Sequence, residues 1–360
     1  MSQTEDESEN ATSPILEGEV ESEQLSDEET IYQINTYGAD FTVDGLVKRF
    51  DRGDIFRPKF QRNFVWTWPQ ASKFIESILL GLPIPSVFLY REESTQKHLI
   101  VDGLQRLTTL ASFSNGRLPH NDRVFRLRDV KERFEGRTFK ELEPEDQRRF
   151  EDAVVHAMII QQLAPDDGNS AVFHIFDRLN SNGTPLQPQE IRAAVYHGPF
   201  QDLLGELNLD PSWRAIFGAV HKRAKDHELI LRFLALAYNG DNYEKPMKGF
   251  LNSFMEKHRH LDQRLQQEFA SAFTQTIRII HNAIGEKAFR PARSFNVSAF
   301  DSVMLGVFKS QLEEPDAVRE VYQKLLADPA YQETITGATS DETVVEARLA
   351  ISLRYFNDAA

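Results

Sequence analysis

Four residues with chemical capacity fall within six positions of the run "VDGLQRLTTL", residues 101–110: Asp102, Gly103, Gln105 and Arg106. An apolar, β-type stretch precedes them and an apolar period of 3.6 follows, so Asp102-Gly103 reads as a strand-to-helix turn. Such a turn presents the free N–H groups of a helix N-terminus, and the helix dipole adds about half a positive charge there. Arg106 in the first helical turn supplies a planar fork suited to a phosphate. Asp102 has the chemistry to hold a phosphate-bound Mg²⁺ or to orient a water. A plainer reading of the same residues stays open. Asp102 caps the helix, Gly103 allows the tight turn, and Gln105 and Arg106 form a solvated face.

Two more segments carry residues of the same kind. In "PKFQRNFVW", Gln61 and Arg62 sit between aromatic anchors in a stretch without helical period, an odd place for a guanidinium unless it meets an anion. In "FDRLNSNGTPLQPQEI", residues 176–191, Arg178 and Asn180 stand at a predicted helix end. An Asn182-Gly183 turn follows, and Pro188 opens the next helix. Turn chemistry alone accounts for Asn182-Gly183, so an ordinary helix connector is the alternative here.

The elements that must position these groups are legible in outline. Residues 42–52 predict a short helix with Thr42 as cap, Leu46, Val47 and Phe50 inward, and Gly53 as stop. Thr67 caps a second helix in which Phe74 and Ile78, and Ile75 and Leu79, repeat at i, i+4. "SVFLY" and "KHLIV" predict a hairpin across "REESTQ". Leu104, Leu107, Leu110 and Ala111 define the apolar face of the motif helix, which Asn115-Gly116 ends. "AVVHAMIIQQL" predicts a strand closing the first domain. Beyond it, helices are expected over 171–180, 188–197, 226–238, 247–259, 262–284 and in a pair after 315. The expected architecture is α+β, with a mostly helical second half.

Composition bounds the function. The 360 residues are 41 % apolar and include 26 Phe, enough for a sizeable core. No run approaches the 18 or so uncharged apolar residues of a membrane span, and the N-terminus lacks a signal pattern, so a cytoplasmic protein without a membrane partner is expected. With no Cys, disulfides and thiolate zinc sites are excluded. The ten His form no HExxH pattern. Oxygen-bound Mg²⁺ remains compatible, since it needs few protein ligands when phosphates supply the rest. The net charge of −14 is concentrated: residues 1–30 hold eleven Asp and Glu and no Lys or Arg, and without those eleven the remainder stands at −3. A disordered acidic tail over 1–30 is expected, either as a solvated tail or as a shield for a basic groove. The α+β domain is expected over 31–165 and the helical domain over 166–360.

The ordered set "FQRNFVW", "PIPSVFLY", "VDGLQRLTTL" and "FDRLNSNGTPLQPQEIRAAVYHG" resembles the GmrSD-type restriction endonuclease N-terminal domain. That domain is the bacterial domain-of-unknown-function family 262, related to ParB and sulfiredoxin. The likeness spans roughly residues 31–200. It implies a ParB/sulfiredoxin-like fold and a DGQQR motif that binds and hydrolyses nucleoside triphosphates, in proteins that restrict foreign DNA. By resemblance, Asp102, Gln105 and Arg106 are the catalytic set, with Asp102 the Mg²⁺ ligand. Gln61, Arg62, Gly103, Arg178, Asn180 and Gly183 bind nucleotide. This sequence departs from the pattern twice. Leu104 replaces the motif's first Gln, either as a lost ligand contact or as a packing residue on the stripe with Leu107 and Ala111. The last 100 residues also lack the His-Ile-Pro-type motif of the nuclease domain that many relatives carry, so DNA cleavage by that route is either absent or supplied by a separate nuclease partner.

The leading expectation is therefore a Mg²⁺-dependent NTP-binding and NTP-hydrolysing protein of a DNA-restriction or phage-defence system. A non-catalytic DNA-binding adapter is the alternative, supported by seven basic and four acidic residues between Arg117 and Arg137. A solvated helix of mixed charge explains that stretch equally well. Direct nuclease activity is the third reading. The sequence is silent on oligomeric state.

Overall fold

The computed structural model describes residues 16–17, 33–57, 64–92, 95–118, 123–164, 175, 187–221, 223–336 and 340–360. The expected acidic tail lies outside these residues except for Leu16–Glu17, and the expected helix at 171–180 lies outside except for residue 175. The chain forms two compact units, one over Ile31–Val195 and one over Tyr196–Ala360 to which Leu16–Glu17 belongs. Most of the segment between the sequence boundary near 165 and this one is not described. The architecture is mixed α+β, with a five-stranded sheet in the first unit and helices throughout the second.

In the first unit the strands are β2 (Gln33–Thr42), β3 (Ile55–Phe56), β4 (Val87–Arg91), β5 (His98–Asp102) and β6 (Val154–Ala164), β1 being Leu16–Glu17 of the other unit. Their order is β2-β6-β4-β5-β3. β4 and β5 form the expected antiparallel hairpin, while β6 lies parallel to β4 and antiparallel to β2. The ten-residue edge strand β2 was not anticipated, because its short apolar alternation is diluted by Asn35, Thr36 and Gly38.

Three helices cover one face of this sheet: α1 (Val43–Asp51), α2 (Trp68–Leu79) and α3 (Leu104–Asn115). Thr42 caps α1 through the N–H of Gly45, and Thr67 forms a full capping box with Gln70 on α2. Leu46, Ile75, Leu79, Leu107 and Leu110 pack with Val87, Leu89, Ile100 and Ile159 in one core. Phe113 meets Phe125 and Phe150 edge-on, both at 5.4 Å between ring centres.

The basic stretch 117–137 corrects the mixed-charge helix expected of it. Its described part, 117–118 and 123–137, contains no helix. It runs along α2, to which three bonds tie it. Trp68 Nε1 donates to Arg126 O (2.5 Å), Arg128 N to Ser72 Oγ (3.0 Å) and Lys131 N to Glu76 Oε1 (2.6 Å). Positions 68, 72 and 76 form an i, i+4, i+8 stripe, which gives this non-helical chain partners along one side of the helix.

The second unit consists mainly of helices. It includes the expected ones near 226–238, 247–259 and 262–284, here Lys225–Asn239, Met247–Lys257 and Gln263–Ile284. The pair expected after 315 is three helices, Pro315–Ala327, Pro329–Thr334 and Glu342–Asn357. Val297–Ser310 escaped the sequence reading because it is buried nearly all round and so has little amphipathic period. Within it Asp301 is fully buried and accepts two-pronged bonds from Arg232, while Arg348 stands 4.0 Å away. A buried pair broken on one side leaves an uncompensated charge. Arg232→Met should cost about 3 kcal/mol, the low end for such pairs because Arg348 remains near, measured as a lower denaturation midpoint. An unchanged midpoint would mean that Arg348 alone neutralises Asp301.

Candidate functional site

The site is built where β5 ends. Asp102 is its last residue, Gly103 is the N-cap of α3, and Leu104 begins the helix. Gly103 has φ +100°, a region that side chains rarely tolerate. A Cβ there would lie 2.6 Å from Val87 Cγ1, so both backbone conformation and space require glycine. The Gly103 carbonyl accepts the first helical bond, from Leu107 N at 2.9 Å.

Among the described residues no side chain caps α3. This corrects the expectation that Asp102 accepts from the first-turn N–H groups. Its Oδ2 instead accepts from Arg106 Nη2 at 2.5 Å. Arg106 Nη1 donates to Ser86 O at 2.8 Å, so the guanidinium bridges the end of β5 to the residue before β4. The Arg106 side chain is 13 % exposed and that of Asp102 is 40 % exposed. The pair thus has one covered partner and one open to solvent.

Gln105 also differs from expectation. Rather than standing free, its Oε1 accepts from two successive backbone amides, Val65 N at 2.9 Å and Trp66 N at 3.3 Å. The bond reaches 40 residues back in sequence and fixes the chain just after the "FQR" segment. Its own carbonyl accepts from Thr109 Oγ1 at 2.7 Å. Leu104 is 7 % exposed and lies in the core with Leu107 and Ala111, which is the packing role its spacing suggested.

The structure therefore brings together Asp102, Gly103, Gln105 and Arg106. Gln61, Arg62, Arg178, Asn180 and Gly183 lie outside the described residues. Sequence reasoning missed Ser86, Val87 and the amides of Val65 and Trp66. Main-chain groups leave no mark in residue type, and only Val87, a β-branched residue opposite a glycine, offered a hint. Among the described residues no three His, Asp or Glu cluster as for a metal, and no helix is long and apolar enough to cross a membrane.

Residues 43–197 match the family described as GmrSD restriction endonuclease, N-terminal domain. The match begins at α1, includes the whole site and omits the edge strand β2. It covers less than half of the chain. No curated protein matches.

Because only the acceptor atom of Gln105 is used among the described residues, a carboxylate should replace it. Gln105→Ala loses two bonds and should cost about 1–3 kcal/mol, whereas Gln105→Glu should melt within a degree or two of the parent at pH 7. Equal losses in both variants would show that these bonds do not hold the segment.

Proposed function

Residues 43–197 form a GmrSD-type restriction endonuclease N-terminal domain, and from that premise we propose that the chain binds and hydrolyses a nucleoside triphosphate within a bacterial DNA-restriction or phage-defence system. The observation that carries this reading is the N-terminus of α3, uncapped among the described residues, with Asp102 and Arg106 beside it. First-turn N–H groups without a side-chain cap favour an anion. Arg106 has five N–H donors, of which two are engaged, so donors remain for phosphate oxygens. Stabilisation of the charge on a transferring phosphoryl group needs donors already held in place. Ser86 O and Asp102 hold Arg106 in this way.

The residues present fit Mg²⁺ in a limited sense. Asp102 is a half-exposed carboxylate whose Oδ1 has no partner among the described residues. One carboxylate suffices where phosphate oxygens and water complete the ion's shell. When bound, the ion would neutralise phosphate charge. Asp102 would be its protein ligand, and Arg106 would keep its tie to Ser86.

The test is phosphate release from a panel of nucleoside triphosphates with Mg²⁺. We expect a weak turnover that Asp102→Asn and Arg106→Lys each lower tenfold or more. For Arg106→Lys, loss of the planar fork should weaken binding by about 1.5–3 kcal/mol. Absence of any nucleotide binding by calorimetry at low salt would overturn the proposal. Leu104→Gln should leave nucleotide affinity within a few-fold while lowering stability by about 1–3 kcal/mol through a buried amide. A tenfold gain in affinity with an unchanged melt would instead mark Leu104 as a lost ligand contact.

A further inference from the structure

Beside the stripe of α2 that carries the basic stretch lies a second stripe facing a hollow. Trp66, Pro69, Gln70 and Lys73 line this hollow, whose volume is about 420 Å³. The hollow is shallow and broadly open to solvent. Its apolar lining residues are Trp66 and Pro69, and an indole is a platform on which a planar ring can stack. Trp66 is steadied from behind by an edge-on contact with Phe74 at 5.4 Å and by the bond from its backbone amide to Gln105. Its wall is therefore fixed rather than loose.

The polar edge of the hollow favours an anion. Lys73 is 56 % exposed and donates one of its three N–H bonds to Glu76 at 2.9 Å. Gln70 uses its Oε1 in the capping box, and its amide nitrogen has no partner among the described residues. About 100° round the helix, from 3.6 residues per turn, the Arg128 guanidinium lies 3.5 Å over the Trp68 ring. Residues 123–137 hold six basic and three acidic residues, a local excess of positive charge on a chain of net charge −14. Arg126 is paired with Glu141 and Lys73 with Glu76, and among the described residues Lys73 is the cation that lines the hollow itself.

We propose that this hollow binds one nucleotide unit of a single-stranded nucleic acid, with the base against Trp66 and Pro69 and the adjoining phosphate on Lys73. Ring stacking on an aromatic platform beside cations that follow a backbone is the physical basis of such binding. A free mononucleotide offers the same chemistry, so the test separates the two sources. The site is distinct from the Asp102–Arg106 pair and needs neither a triphosphate nor Mg²⁺.

The experiment is fluorescence anisotropy of a labelled thymidine octanucleotide with the full chain, in low salt without triphosphate or Mg²⁺. Failure of nucleotide hydrolysis would leave its outcome untouched, and the reverse holds too. We expect saturable binding that Trp66→Leu weakens at least tenfold and Lys73→Ala weakens severalfold. The slope of log affinity against log salt should become shallower by about 0.7 in Lys73→Ala, the loss of one phosphate contact to a single strand. A purely structural role for Lys73 would leave that slope unmoved, and the exposed Lys73 variant carries the test even where Trp66→Leu lowers the melting temperature. Displacement by equimolar thymidine monophosphate assigns the hollow to free nucleotides, and displacement only at large excess assigns it to a strand; both support the site. No binding of either probe, or binding unchanged in both variants, overturns it.

Discussion

The junction at Gly103 is the constraint on which the rest depends. A positive φ at this one residue turns β5 into α3 within a single peptide unit, and Val87 leaves no room for a side chain there. The placement of Asp102 and Arg106 follows from that turn. It puts Asp102 at the end of a strand and Arg106 one helical turn later, close enough for a 2.5 Å ion pair. It also leaves the first-turn N–H groups without a cap. Had Asp102 capped the helix, its carboxylate would have neutralised the same N–H groups that favour an anion.

The ties made by the motif side chains are as informative as their proximity. Arg106 spans Ser86 O and Asp102, and Gln105 spans Val65 and Trp66. One helical turn thus holds two segments that precede it in sequence. A ligand arriving at the N-terminus of α3 meets a guanidinium already oriented, at the cost of sharing it with Asp102. Preorganised donors of this kind lose little on binding. The Gln105 tie extends the same order to the indole wall of the neighbouring hollow.

Much of this was legible in sequence because the relevant signals are local. The change from period 2 to period 3.6 at Asp102, the glycine between, and the capping residues Thr42 and Thr67 each specify their own neighbourhood. The fate of Asp102 was not legible. An acid before a helix reads as a cap, and only the tertiary position of Arg106, set by the carbonyl of Ser86, redirects it. The course of residues 123–137 was hidden for a similar reason. Mixed charge suggests a helix face, yet three hydrogen bonds with α2 tie the stretch down as a non-helical run of bends and turns. The helix at Val297–Ser310, buried nearly all round, lacks the amphipathic period that marks surface helices.

The central claim is that the uncapped first turn of α3 is where a triphosphate binds. Hydrogen–deuterium exchange of the full chain, with and without a non-hydrolysable triphosphate and Mg²⁺, tests it most directly. The account predicts that exchange slows at the amides of residues 104–106, which have no helical acceptor of their own. Saturable nucleotide binding that protects other segments, with residues 104–106 exchanging at their free rate, would contradict it.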